Sequence, residues 1–191
     1  MKKVLIIIGV LVLALFIWLI YSGLFTNAQI KQEKAGGYWL VYEEFVGDYS
    51  NAGKITDKVY NELKEMGIET TKGFGIYMDN PQEIAREKCR SELGCILEPN
   101  DLDKLSQIKA KFKVKNFIKQ DCITSEFPFK NKMSIMFGIF KVYPKMNEYM
   151  EANNIPQGPI MEVYDMPNKK IYYLKALNES STEVVKPNST L

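Results

Sequence analysis

A single carboxylate stands in an otherwise apolar stretch near the end of the chain. The stretch GPIMEVYD covers residues 158–165 and alternates as a β-strand does, which puts Ile160, Glu162 and Tyr164 on one face of a sheet. An unpaired carboxylate in a dry core would cost several kcal/mol in its charged form, or would be neutralised by a raised pKa. The pattern therefore predicts that Glu162 faces water or a groove.

Two kinds of environment fit a carboxylate at that position. On a solvated sheet face Glu162 would be a hydrated charge and nothing more. At the floor of a pocket walled by aromatic rings it would attract a cationic ligand, since each ring face adds about 0.5 to 2 kcal/mol for a desolvated cation. We expect Tyr42 and Tyr77 to wall such a pocket. Gly75 precedes Tyr77 as Glu162 precedes Tyr164, so the first half of the chain would add no second carboxylate.

The composition excludes much familiar catalysis. The chain has no histidine, so it lacks Ser-His-Asp and Cys-His nucleophile systems and histidine-bound metal ions. We expect no metal and no cofactor, because the Asp-Asn-Pro turn at residues 79–81 has no second acidic cluster beside it. With 25 basic and 23 acidic residues the net charge is +2, which does not favour nucleic acid as a partner.

The three cysteines leave two arrangements open. Cys89 and Cys95 could form a disulfide if the chain turns between them, or all of the cysteines could be buried thiols. Cys89 has no histidine to activate it, so a nucleophilic role is disfavoured.

An apolar run at the N-terminus has the length of a bilayer-spanning helix. Residues 4–21 contain no charged side chain and follow Lys2 and Lys3. We expect a retained single-pass membrane anchor. A cleaved signal peptide is the alternative, because Thr-Asn-Ala at residues 26–28 offers a small-x-small cleavage pattern. The two lysines predict a cytoplasmic N-terminus, with the following domain on the other side of the membrane.

The rest of the chain makes two similar passes of strand and helix patterns. The elements predicted for the first pass are a strand at 38–47, an amphipathic helix at 51–66 and strands at 73–81 and 87–98. Those of the second pass are strand material at 114–130, a helix at 132–153 and a hairpin of 158–165 and 170–177. The second helix should carry a set of apolar residues on one side, namely Ile135, Ile139, Val142, Met146 and Met150. An edge strand with protective lysines is predicted at 108–115.

Three segments, in this order, carry a resemblance to a known family: GFGIYMDNP at 73–81, EKCRSELGCIL at 87–97 and GPIMEVYD at 158–165. Arranged in two β-α-β-β units, they resemble the GyrI-like (gyrase-inhibitor-like) effector-binding family. With the N-terminal anchor and GIFKVYPKMNEYMEANN at 138–154, the chain resembles more narrowly the membrane-anchored branch that includes the testis-expressed ER-phagy receptor.

The resemblance implies an α+β fold. Two pseudo-symmetric β-α-β-β units, each an SHS2-like repeat, would form one curved antiparallel sheet with helices on one face and a central ligand groove. Members of the family bind small, often cationic, aromatic compounds, and some are reported to hydrolyse reactive small molecules. In the family a glutamate followed two residues later by a tyrosine faces the groove, and the matching positions here are Glu162 and Tyr164.

The chain also departs from the family's pattern. It has no helix-turn-helix segment, so transcription regulation is not implied. Its tail lacks the aromatic-x-x-aliphatic element by which the ER-phagy receptor engages its partner, so that role does not carry over. The predicted segments are a flank at 1–3, a transmembrane helix at 4–21, a tether at 22–37, a GyrI-like ligand-binding domain at 38–177 and a disordered tail at 178–191.

Three functions are compatible with this sequence. The first is a membrane-held sensor or scavenger that binds a small molecule through Glu162, Tyr164, Tyr42 and Tyr77 without turnover. The second is a hydrolase in which Glu162 is the general base, assisted by a tyrosine hydroxyl. The third is a docking module that holds a protein partner at the membrane.

Overall fold

A computed structural model describes residues 1–178 and 182–184. The α-helices are α1 (Lys2–Tyr21), α2 (Ala52–Glu65), α3 (Leu105–Lys109) and α4 (Lys132–Ala152). The strands are β1 (Lys31–Ala35), β2 (Tyr38–Val46), β3 (Lys72–Tyr77), β4 (Arg90–Leu97), β5 (Lys113–Phe117), β6 (Gln120–Pro128), β7 (Ile160–Asp165), β8 (Lys170–Ala176) and β9 (Thr182–Val184). Short 3₁₀ helices lie at Tyr49–Asn51, Arg86–Lys88 and Pro99–Lys104.

The described strands form one antiparallel sheet, in the order β1-β6-β8-β7-β3-β4-β2-β5-β9. The sheet curls into a half-barrel. Strands β3 and β7 meet at its centre, so unit one (β2-α2-β3-β4) lies on one side and unit two (β6-α4-β7-β8) on the other. Outside these units, β5 pairs with β2 as β1 pairs with β6. The predicted α+β fold of two pseudo-symmetric units is therefore confirmed.

Helices α2 and α4 cover one side of the sheet, which we call the helix face. Helix α2 buries Val59 and Leu63 in a cluster with residues of β2, β4 and β5. Helix α4 buries Val142, Met146 and Met150 in a cluster with residues of β6, β7 and β8. The opposite face holds a third apolar cluster, which includes Leu40, Phe74, Cys122, Val163 and Leu174. Both faces of the central strands are thus removed from water, as the near-continuous burial of β4 and β7 shows.

The chain itself marks where the two long helices stop and start. Gly67 follows α2 with a φ of +73°, the left-handed conformation that glycine adopts at little cost, so it ends the helix. Helix α4 begins after Asn131, whose side chain accepts hydrogen bonds from the backbone N–H groups of Met133 and Ser134. Ser134 completes a capping box. Helix α4 continues through Pro144 to Ala152.

Three local predictions differ from the structure. The segment predicted as a tether contains β1, which pairs along its whole length with β6. The strand predicted at 108–115 is wrong in its first part: α3 occupies Leu105–Lys109 and β5 begins only at Lys113. Ile139 was expected on the buried side of α4, but its side chain is 42% exposed.

The predicted disordered tail falls mostly on residues that lie outside the described part of the chain. Of that segment, the backbone of Thr182–Val184 forms β9 and pairs with β5.

All three cysteines are free and buried, so the structure has the thiol arrangement and not the Cys89–Cys95 disulfide. Burial raises the pKa of Cys95 to about 11, which keeps that sulfur protonated at neutral pH.

Candidate functional site

Glu162 lies at the centre of the sheet, on the helix face. It stands opposite Gly75 of β3 on one side and Tyr173 of β8 on the other. Its side chain is not wet, since the residue is only 2% exposed. The prediction that Glu162 faces water or an open groove is therefore wrong for this structure. The carboxylate is buried between the sheet and α4.

Tyrosine hydroxyls satisfy both oxygens of this carboxylate. The hydroxyl of Tyr143, on α4, donates to Oε1 of Glu162 at 2.7 Å. The hydroxyl of Tyr164, two positions along β7, donates to Oε2. The salt bridges found among the described residues do not include Glu162, and tyrosine hydroxyls are the hydrogen-bond donors that the structure gives to this buried acid.

Tyr77 and Tyr173 join Tyr143 and Tyr164 in what we call the tyrosine cluster. The hydroxyl of Tyr77 lies near those groups, since Tyr164 and the charge of Glu162 both affect its pKa. The ring of Tyr173 packs edge-on against that of Tyr143, with centroids 5.8 Å apart and an interplanar angle of 84°. The cluster therefore joins residues from β3, α4, β7 and β8 around one carboxylate.

Two glycines make room for these rings. A Cβ on Gly75 would lie 2.8 Å from the Tyr77 hydroxyl, so that hydroxyl sits over the bare backbone of β3. A Cβ on Gly138 would lie 2.2 Å from the Tyr173 hydroxyl, so Tyr173 reaches α4 only because position 138 has no side chain. Side chains of the protein itself thus fill the space around Glu162.

The Tyr173 hydroxyl is the unusual member of the cluster. It is fully buried, yet within the described part of the chain it makes no hydrogen bond. A buried hydroxyl without a partner costs about 1 to 3 kcal/mol. Its retention beside Glu162 indicates a polar centre that the resting packing does not fully satisfy.

Burial dominates the acid–base properties of the site. It raises the pKa of Glu162, while the hydrogen bonds from Tyr164 and Tyr143 act in the opposite direction by favouring the carboxylate. Burial and then the charge of Glu162 raise the pKa of both Tyr143 and Tyr164 well above the usual range. The tyrosine hydroxyls therefore stay protonated at neutral pH and act as donors to the Glu162 carboxylate.

Of the predicted site residues, three come together and one does not. Glu162, Tyr164 and Tyr77 are in one cluster, and Gly75 faces Glu162 across the central strand pair. Tyr42 lies on the opposite face of the sheet, where its ring contacts the ammonium group of Lys115 at 5.0 Å. It cannot wall a pocket over Glu162, so that prediction is corrected.

Tyr143 was not predicted as a site residue, and for Tyr172 and Tyr173, on opposite faces of one strand, the sequence pattern predicts one in the core and one at the groove without choosing between them. Tyr173 stands directly across from Glu162, a position that only the register of the hairpin reveals. Tyr143 adjoins the buried Val142, and its role depends on where α4 crosses the sheet. Two surface cavities lie elsewhere: one of about 330 Å³ beside Tyr42 and Lys113, and one of about 390 Å³ beside Thr26 and Lys170. Glu162 lines neither of them.

No family model matches the chain, so membership of the GyrI-like family stays an expectation. The chain is similar to testis-expressed protein 264 of two mammals. It is 25% identical over 162 residues to the homolog from Mus musculus and 24% identical over 169 residues to the protein from Homo sapiens. These matches cover 81% and 82% of the chain but 50% and 52% of the mammalian proteins. The chain thus spans about half the length of these relatives.

The fold is similar to that of solved structures with low sequence identity. EcmrR, in a complex with DNA, superposes with a TM-score of 0.54 at 15% identity over 96% of this chain and 68% of its own. SAV2435 bound to tetraphenylphosphonium gives a TM-score of 0.48 at 12% identity over 76% of this chain and 91% of its own. The first likeness supports the fold alone, and the second carries no argument about this chain.

Proposed function

We propose that this protein is a membrane-anchored small-molecule-binding protein whose site is Glu162 with the tyrosine cluster. The observation that carries the proposal is a buried carboxylate held by hydroxyls, with no cationic partner among the described residues. A ligand cation would supply the missing opposite charge, and ring faces would surround it. Cationic aromatic compounds are accordingly the proposed ligand class.

Binding requires the cluster to rearrange, because its own side chains occupy the space around Glu162. Tyr143 is the hydroxyl donor that comes from a helix, while Tyr164 and Tyr77 come from the two central strands. A ligand that displaces a tyrosine hydroxyl loses that hydrogen bond but restores charge compensation to the carboxylate. Binding should also lower the pKa of Glu162, because a nearby cation favours the charged form.

The test is a thermal-shift titration of the full chain in lipid nanodiscs. The full chain is needed because β1 and the residues after α1 belong to the fold. The probe is tetraphenylphosphonium, with neutral triphenylphosphine oxide as its counterpart. We expect the Tm to rise with cation concentration, and Glu162→Gln to weaken the response by about tenfold or more.

Glu44→Gln is the matched control, since Glu44 is 58% exposed and pairs with Lys113 on the surface. An unchanged response in Glu162→Gln would remove the proposed site.

The helix α1 supports the anchor part of the proposal. It has 20 residues, none of them buried by the domain, and is long and apolar enough to cross a bilayer. The residues that signal peptidase would remove are also used in the fold: Ser22 is fully buried and Ala28 is 3% exposed. Resistance of the full chain to alkaline extraction from membranes tests the anchor. Release at high pH would point to the cleaved-signal alternative.

A hydrolase is the second candidate, because tyrosine hydroxyls lie within hydrogen-bond reach of both Glu162 oxygens. An activated aryl ester distinguishes the two functions. A binding protein leaves the ester at its buffer rate, whereas a hydrolase turns it over and loses that turnover in Glu162→Gln.

A membrane-held docking module is the third candidate, favoured by the filled space around Glu162. It predicts that no ligand of the proposed class shifts the Tm, and that the chain retains a protein partner equally well with Glu162→Gln.

A further inference from the structure

Helix α4 exposes large apolar side chains along the first half of its outer side. Met136 is 50% exposed, Ile139 42% and Phe140 70%, and their spacing puts them on one side of the helix. Phe25, in the segment after α1, is 69% exposed. We call Phe25, Met136, Ile139 and Phe140 the apolar patch. Exposed large apolar side chains that are grouped in one region mark a contact with something outside the domain.

The patch is confined to one part of the molecule. Beyond it, the exposed positions of α4 are Pro144, Glu148, Glu151 and Ala152, so the second half of the helix exposes no large apolar side chain. Helix α2 occupies the equivalent place in unit one, and its exposed positions are Gly53, Lys54, Asp57, Lys58, Asn61, Lys64 and Glu65. The apolar side chains are therefore not a general property of the helix layer.

The patch adjoins the end of the proposed transmembrane helix. The ring of Phe25 packs edge-on against that of Phe16 within α1, with centroids 6.2 Å apart. Phe25 thus lies beside α1 and not out along the domain. An exposed apolar ring at the end of a membrane-spanning helix lies at the depth where interfacial apolar side chains bury themselves in the bilayer.

Hydrogen bonds fix α4 to the same end of α1. The Asn131 side chain, at the start of α4, donates to the Ser22 hydroxyl at 2.9 Å. The Lys141 ammonium group donates to the carbonyl oxygen of Thr26 at 3.0 Å and also to that of Leu24. The Lys145 ammonium group donates to the carbonyl oxygen of Ala28 at 2.9 Å. The first half of α4 is therefore held close to the point where the chain leaves α1.

We infer that the apolar patch lies in the interfacial layer of the bilayer that α1 crosses, so that the first half of α4 rests on the membrane surface. The inference rests on the proposed anchor. The basic residues Lys130 and Lys132 stand at the start of the helix, where they would face lipid headgroups. The occupant of the patch is thus lipid, and the domain has one fixed side toward the membrane.

Fluorescence quenching by spin-labelled lipids tests the inference on the full chain in vesicles. An NBD label is placed at single positions by Phe140→Cys in the patch, Val46→Cys as a control and Leu11→Cys in α1. Val46 is a suitable control because it is 62% exposed and lies on unit one. The native cysteines are buried and do not compete for the label. We expect shallow spin labels to quench the NBD fluorescence at position 140 at least about twofold more strongly than at position 46.

The outcomes separate the inference from the anchor on which it depends. Quenching at position 11 by deep spin labels, with equal weak quenching at 140 and 46, overturns the inference and leaves the anchor standing. A blue-shifted but unquenched label at 140 also overturns it, because the patch is then covered by protein. If position 11 is not quenched, the anchor fails and the inference with it.

Discussion

The two units of this protein share a scaffold but not its contents. Both units have the same order of elements, and they meet where β3 pairs with β7. At that boundary Gly75 of unit one faces Glu162 of unit two. The solvent-exposed side of α2 is mostly charged. Helix α4 instead carries Tyr143, the apolar patch and the hydrogen bonds to the segment after α1. Pseudo-symmetry therefore supplies the frame, and one unit carries the site and the proposed membrane contact.

The largest expected effect comes from the glycine that lets Tyr173 reach α4. Gly138→Ala should lower the free energy of unfolding by about 2 to 3 kcal/mol, since its Cβ would overlap the Tyr173 hydroxyl. Gly53→Ala in α2 is the matched change, because a Cβ there meets no atom within 4 Å. It should be neutral or slightly stabilising. Denaturant unfolding measures both variants.

A double variant decides whether that loss comes from the hydroxyl. Tyr173→Phe alone should be neutral or stabilising, since it removes a buried hydroxyl that makes no hydrogen bond in the described structure. Combined with Gly138→Ala it should restore a large part of the lost stability. If the losses simply add, the close approach is not what makes Gly138 necessary.

The second effect is the loss of a hydrogen bond to the buried acid. Tyr143→Phe should lower the free energy of unfolding by about 1.5 to 3 kcal/mol, because the carboxylate loses a charge-assisted donor. Tyr42→Phe, on the opposite face, should change it by much less. Equal losses from both variants would mean that Tyr143 acts only through packing.

The third effect concerns pH and has opposite signs in the two units. The pKa of Glu162 is raised from its ordinary value of 4.5 by burial, so the folded state holds its proton more tightly than the unfolded state. Its contribution to stability is fully present below that value and is lost as the pH rises through the raised pKa. Glu162→Gln removes this slope, so the stability of the variant should depend less on pH in this range than that of the natural chain. Urea midpoints of both proteins across the pH range measure the difference, and parallel curves contradict the assignment.

The smallest effect is expected at the acid of unit one. Asp79 accepts hydrogen bonds from Arg90 Nε at 2.9 Å, Nη2 at 2.7 Å and the backbone N–H at 2.7 Å. The Arg90 side chain holds the pKa of Asp79 below its ordinary value of 3.8. Its contribution is present above that value and is lost as the pH falls through the lowered pKa. Asp79→Asn should therefore destabilise the protein near neutral pH and lose this effect in acid, as thermal unfolding at each pH would reveal.

The order of elements and the central Glu162–Gly75 relation were predictable from the sequence, because they depend on repeated local patterns. The face of each strand was not. Tyr42 was assigned to the wrong side because β2 buries apolar side chains on both faces around it, so no polar alternation fixes the phase. Burial of Glu162 was also missed, since its hydroxyl donors come from a helix and from the strand itself. Strand β1 was missed because KQEKA is an exposed edge with almost no buried side chain.

Helix α4 links two places that would otherwise be independent. Lys141 and Lys145 hydrogen-bond the segment that follows α1, and Tyr143 between them hydrogen-bonds the buried Glu162. Because an α-helix is stiff over so short a length, these contacts cannot move independently of one another. A shift of residues 24–28 is therefore coupled through α4 to the Tyr143 hydroxyl, and repacking around that hydroxyl is coupled in turn to residues 24–28.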